Sequence, residues 1–169
     1  LFDTQHSVDA QIVLKQMQIL ATSSSNMVCG QVLDIQSEGK SVDQETLENI
    51  HRNKTGALIQ AAIMMSAVTL FEGVDPAIPQ LRKFGQAIGL AFQVQDDILD
   101  VTSDAKTLGK NTGSDEANHK ETYVTLLGIE NSQKEVDLLF NEAQQLVYSL
   151  TLNHGLILEI IEKLWKRVR

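Results

Sequence analysis

An all-α fold is the expectation for this chain, and three observations lead to it. Apolar residues recur at three- to four-residue spacing through most of the length. The 169 residues contain only two prolines, Pro76 and Pro79, standing close together. Aromatics make up 5% of the chain, and hairpin signals are almost lacking, which suits long helices better than strands. Residues 1–169 read as one domain, without repeat, low-complexity tract or interdomain linker.

Taken in order, Val8, Ile12, Leu14, Met17, Ile19 and Leu20 fall among polar positions and predict a first helix over residues 7–22. The polar run Ser23-Ser24-Ser25-Asn26 is either a break or a turn of a continuing helix, since the apolar period resumes at Met27, Val28, Val32 and Ile35. Glu38-Gly39-Lys40 reads as a helix terminus, and residues 41–45 as the polar start of a short helix with Leu47 and Ile50 on one face. That helix runs into His51-Arg52-Asn53-Lys54. Residues 57–71 are apolar on nearly every side, which predicts a helix at the centre of the protein.

Pro76 suits the opening turn of a helix running to about Val101, where Leu81, Phe84, Ile88, Phe92, Gln95 and Leu99 recur every three or four residues. Gly85 and Gly89 share a face of it and would admit a neighbouring helix closely. Residues 103–120 are rich in Asp, Thr, Gly, Asn and Lys and read as a long surface loop, a length uncommon unless functional. Helical patterning returns over residues 122–127, 132–152 and 156–168.

Twenty-two acidic against fourteen basic residues give a formal charge of −8, which disfavours nucleic acid and anionic lipid as partners. No window approaches the ~20 apolar residues a spanning helix needs, so no transmembrane segment is expected. The single cysteine, Cys29, reads as a small buried hydrophobe and fits a reducing compartment, hence a cytoplasmic location. The four histidines have no metal-ligand spacing and read as surface or packing residues. Trp165 reads as packing a C-terminal helix, beside basic residues that could close over an anion.

Chemistry concentrates in Phe92-Gln93-Val94-Gln95-Asp96-Asp97-Ile98-Leu99-Asp100. Helical spacing puts Asp96 and Asp100 on one face, one turn apart, with Gln93 on the same side. Like charges at that spacing repel, and acids near a helix C-terminus oppose its dipole, so a counter-cation is expected. Hard cations such as Mg2+ take one or two carboxylates, with waters and substrate phosphates completing the shell. Alone, the motif is more often a solvated acidic helix end. Lys54, Lys110 and Lys120, each alone, read as ordinary surface lysines.

Together with its surroundings the series resembles the trans-prenyltransferase family, farnesyl and geranylgeranyl diphosphate synthases. In order stand Gly30-Gln31-Val32-Leu33-Asp34, Lys54-Thr55-Gly56, the acidic motif at residues 92–100, Gly109-Lys110, Asp115, and Lys120 with Thr122. The match runs from about Gly30 to Gly128. The resemblance implies an isoprenoid-synthase-type helical bundle, and Mg2+ bound by Asp96 and Asp100 with Asp97 supporting the metal site or its waters. It further implies Lys54, Lys110 and Lys120 on the diphosphate oxygens of the substrate, and Thr55, Gln93 and the Lys54 carbonyl facing the developing allylic cation. The reaction implied condenses isopentenyl diphosphate with an allylic diphosphate, dimethylallyl or geranyl, to a short-chain product, farnesyl diphosphate first, in a homodimer.

The family carries two aspartate-rich motifs on facing helices, and here only the second is present. The chain is therefore expected to be the C-terminal half of one synthase domain, with the first motif lying before Leu1, and not to complete the reaction alone. A non-catalytic partner subunit of a prenyl diphosphate synthase is the alternative. A terpene cyclase, sharing the fold, fits less well because the Lys-Thr-Gly and Gly-Lys stretches match condensing enzymes.

Overall fold

The structure is a computed structural model; it describes residues 9–71, 75–107, 121–150 and 153–168, with side chains throughout except at 103–107 and 168. Among these residues there is no strand. The helices are α1 (Ala10–Ser37), α2 (Gln44–His51), α3 (Ala57–Leu70), α4 (Ala77–Thr107), α5 (Tyr123–Leu127), α6 (Ile129–Tyr148) and α7 (Gly155–Trp165). A π turn, Arg52–Gly56, joins α2 to α3, and a 3-10 turn, Lys166–Val168, follows α7.

The serine run does not break α1, which passes through it for 28 residues. The helix stops where expected, at Glu38, and Gly39 takes φ 70°, the left-handed conformation a side chain would resist. Asp43 caps α2, its carboxylate accepting from the Thr46 N–H at 2.9 Å. Helix α4 is longer than expected: its backbone stays helical to Thr107, so the first residues of the expected loop belong to it, and residues 108–120 lie outside the described residues.

Helix α4 is the axis of the fold, with α6 on one side and α3 and then α1 on the other. Ile88, Ala91, Val94 and Ile98 of α4 are buried in one cluster with Val136, Phe140, Ala143 and Val147 of α6. Trp165 packs as expected: it stacks on Phe140 at 5.6 Å and its Nε1–H donates to Asp137 Oδ1 at 2.6 Å. Gln95, wholly buried in the apolar stripe, donates through Nε2 to the Leu164 carbonyl at 2.9 Å, satisfying a carbonyl at the end of α7.

Gly85 and Gly89 admit the neighbouring helix as their spacing predicts. A Cβ on Gly89 would stand 2.8 Å from the Gly56 Cα, and one on Gly85 3.1 Å from the Gln60 Cα. Both obstacles are backbone and cannot rotate away. Gly89→Ala is expected to lower the unfolding free energy by about 1–2 kcal/mol through overpacking, read as a shift of the urea midpoint without change of slope.

Two expectations need correction. Helix α3 is not enclosed all round: Ala57, Ala61, Met64 and Ala67 are buried, while Leu58 is 39% and Leu70 72% exposed. One face packs between α1 and α4, and nothing among the described residues covers the other. Cys29 is exposed, because the face of α1 that packs is the one carrying Gly30 and Asp34. Among the described residues no helix is long and apolar enough to cross a membrane.

Candidate active site

The π turn crosses α1 at Gly30, where an added Cβ would lie 2.8 Å from Asn53 Cβ and closer still to the Lys54 nitrogen. Only a residue without a side chain fits such a crossing. One helical turn further on, Asp34 presents its carboxylate to the same segment and accepts from Lys54 Nζ at 2.6 Å. The Gly-Gln-x-x-Asp spacing thus has a physical meaning: the glycine lets the backbone in and the aspartate holds its lysine. A π turn widens the helix and commonly marks a working segment.

Asp34 is 7% exposed in its side chain and Lys54 33%, so water screens the pair only in part. A double-mutant cycle over Asp34→Asn and Lys54→Met is expected to return a coupling of about 1–2 kcal/mol in urea unfolding. A coupling near zero would mean that the pair does not hold the turn.

Opposite the π turn stands the acidic end of α4. A cavity of about 260 Å³ is lined by Lys54, Gln93, Asp96, Asp97 and Asp100, with Asp34, His51 and Thr122 beside them. Helical spacing brings Asp96 and Asp100 to this cavity as expected, together with the lysine of the π turn. Thr55 is half-buried in the same turn and is not among the lining residues. Lys110 and Lys120 lie outside the described residues.

The three carboxylates are held differently. Asp96 accepts from an Arg167 guanidinium nitrogen at 3.1 Å, and that guanidinium also lies over the Phe92 ring, 4.6 Å from its centroid. Burial pushes the Asp96 carboxyl above its ordinary range; Arg167 pulls the other way, and Asp97 and Asp100 add repulsion. Asp97 is turned around the helix, and its Oδ2 accepts from the Tyr123 backbone N–H at 2.9 Å and meets His51 Nε2 at 3.3 Å. Asp100 lines the cavity one turn beyond Asp96.

The donors suit a hard cation, since carboxylate side chains, Asp96 and Asp100 among them, line the cavity. Among the described residues, however, no three His, Cys, Asp or Glu side chains gather closely enough to hold one ion between them. The residues therefore fit an ion held through one or two carboxylates whose remaining ligands come from water and a phosphate-bearing substrate, not a closed protein cage.

His51 packs, as one of the two readings open to the histidines has it, but its place in the cavity was not foreseen. It is 8% exposed, lines the cavity, and stacks on Tyr123 with ring centroids 5.7 Å apart and planes 15° from parallel. Its position one helical turn before Lys54 was the available signal. Arg167 was legible only as one of several basic residues near the end of the chain.

Residues 4–148 match the family model described as polyprenyl synthetase. The chain is 48% identical over 125 residues to the farnesyl diphosphate synthase of Escherichia coli, covering 74% of this chain and 42% of that protein. It is 40% identical over 142 residues to the geranylgeranyl diphosphate synthase of Cyanophora paradoxa, covering 82% of this chain and 47% of that one. Among solved structures, the geranyltransferase of Helicobacter pylori complexed with magnesium and isoprenyl diphosphate superposes with a TM-score of 0.77 at 31% identity, over 95% of this chain and 53% of that one. The chain spans about half the length of these relatives. With the helical fold and the order of its motifs agreeing with that match, the chain belongs to the polyprenyl synthetase family, the trans-prenyltransferases.

Proposed function

We propose that the whole protein is a Mg2+-dependent trans-prenyltransferase that joins isopentenyl diphosphate to dimethylallyl or geranyl diphosphate, with farnesyl diphosphate as product. The observation that carries this reading is the shared cavity of Lys54, Gln93, Asp96 and Asp100. The activities for which the relatives are named, and the magnesium and isoprenyl diphosphate bound in the Helicobacter pylori complex, support it.

Ionising an allylic C–O bond puts negative charge on the departing diphosphate and positive charge on carbon, and both need fixed partners. When bound, Mg2+ would supply Lewis-acid neutralisation of the departing diphosphate. Asp96 and Asp100 would hold that ion, with Asp97 supporting its site. Lys54, kept in place by Asp34, presents its ammonium to a diphosphate oxygen, and Lys110 and Lys120 are assigned the same task. Gln93 offers its amide oxygen to the allylic cation; the same task is assigned to Thr55 by the family resemblance alone, since Thr55 does not line the cavity. Arg167, now on Asp96, must share that carboxylate with the ion or leave it.

The 169 residues by themselves are not expected to turn over, because the second substrate and the facing aspartate motif of the family have no counterpart in them. Assembly as a homodimer in the cytoplasm belongs to the same reading. The product of the complete gene, assayed with isopentenyl and geranyl diphosphates and Mg2+, is expected to release farnesyl diphosphate and to stop on chelation. Extension to geranylgeranyl diphosphate would correct the product alone. Inactivity of the complete protein, with an altered product when it is mixed with an active synthase, would make it a partner subunit. Hydrocarbon from farnesyl diphosphate alone would make it a cyclase.

A further inference from the structure

Asp97 occupies a place in the acidic motif that invites a role as metal ligand, yet its surroundings differ from those of its neighbours. Its side chain is 11% exposed, against 40% for Asp96. One oxygen, Oδ2, serves two donors from two other elements, the Tyr123 N–H at 2.9 Å and His51 at 3.3 Å. A carboxylate accepts and does not donate, so His51 carries its proton on Nε2. The imidazole is also fixed from the side, stacked on the Tyr123 ring at 5.7 Å. The three contacts close on themselves: His51 to Asp97, Asp97 to Tyr123, Tyr123 to His51. They tie the end of α2, the acidic end of α4 and the start of α5 at one buried point.

We propose that His51 and Asp97 form a clamp of positioning residues, and that Asp97 serves the site by holding the chain at Tyr123 and not by ligating the ion. The proposal rests on the reading that Asp96 and Asp100 hold a divalent ion against a diphosphate. Its consequence lies in what adjoins the clamp. His51 stands three residues before Lys54, and Tyr123 three residues after Lys120, in sequence. Fixing His51 and the Tyr123 amide on one carboxylate anchors the π turn that carries Lys54, a lysine assigned to the diphosphate. An α-helix makes this division of labour possible: residue 97 is rotated about 100° from residue 96, so adjacent aspartates face different neighbours.

Two readouts on the complete protein test it. The first is Mn2+ binding in the presence of inorganic pyrophosphate, followed by electron paramagnetic resonance. Asp96→Asn is expected to weaken binding at least tenfold, whereas Asp97→Asn, whose amide oxygen can still accept the Tyr123 N–H, stays within threefold of the native protein. The second is hydrogen exchange of the Tyr123 amide, with α6 amides as the reference for global opening. His51→Phe keeps a ring against Tyr123 but loses the donor; it is expected to speed that exchange at least tenfold and to raise KM for geranyl diphosphate more than it lowers kcat. His51→Gln, whose amide N–H reaches where Nε2 does, is expected to restore both. If Asp97→Asn loses Mn2+ as severely as Asp96→Asn, Asp97 is a ligand and the proposal alone is overturned. Unchanged Tyr123 exchange in His51→Phe also overturns it. Unchanged Mn2+ binding in Asp96→Asn overturns the metal reading itself, and this proposal with it.

Discussion

Asp96→Asn in the complete protein is expected to lower turnover by about a thousandfold and, with no divalent ion present, to leave the fold more stable than before. The first half follows from the task assigned to Asp96: losing one preorganised electrostatic partner of a developing charge costs about 10²–10³ in rate, and a carboxylate holding a divalent ion stands at the upper end. The second half follows from the position of the carboxyl. Burial raises its pKa above 3.8, the value taken for the unfolded chain, despite the pull of Arg167. A raised acid is one whose charged form the fold disfavours. The penalty is fully present above the folded pKa and disappears as pH falls through that value towards 3.8. Replacing Asp96 by its neutral isostere removes the penalty, so the thermal midpoint of the variant should exceed that of the native protein at neutral pH and converge with it at acid pH. Since Asp96 is 40% exposed and Arg167 loses a partner, the gain is small. An inactive variant that is no less stable separates loss of function from loss of fold; one that keeps native turnover would falsify the assignment of this carboxylate to the metal.

How much of this was legible beforehand differs from residue to residue, and the differences have physical causes. Features set by local spacing were readable. Asp96 and Asp100 share a face because residues four apart on a helix always do, and Gly85 and Gly89 met a neighbouring backbone for the same reason. What depends on contacts distant in sequence was not. Nothing local to Cys29 distinguishes it from a buried cysteine; its exposure follows from which side of α1 the π turn crosses. The apolar run of α3 cannot tell which of its faces finds a partner among the described residues. His51 and Asp97 are 46 residues apart, and Gln95 reaches a carbonyl 69 residues away, so neither side chain announces its partner. The serine run in α1 was ambiguous because serine competes for backbone hydrogen bonds, and a helix continuing on both sides decided it. The π turn had no signature at all, yet it carries Lys54.

The crossing of α1 with that turn carries the second large effect, that of Gly30→Ala. In an ordinary helical position the exchange stabilises by about 0.5–1 kcal/mol, because alanine gives up less backbone freedom on folding. Here the sign should reverse. The new methyl would lie 2.8 Å from the Asn53 carbonyl carbon and 2.8 Å from its Cβ, and closer to the Lys54 nitrogen, distances that real Cβ atoms essentially never show. Two of the three atoms are main chain inside a continuous helical path, so relief requires α1 and the π turn to move apart. That separation forfeits dispersion contacts along the interface and draws Lys54 away from Asp34, whose carboxylate sits on the same face of α1. The net loss is expected to be about 2–4 kcal/mol, overpacking outweighing the helix-propensity gain. Activity of the complete protein should fall further than its folded fraction does, because the lysine moves together with the turn that carries it. Urea unfolding and turnover measured on the same preparation distinguish the cases. A stability loss with native kcat per folded molecule would make Gly30 a packing residue only, and a neutral or stabilising Gly30→Ala would show that the two backbones do not approach this closely.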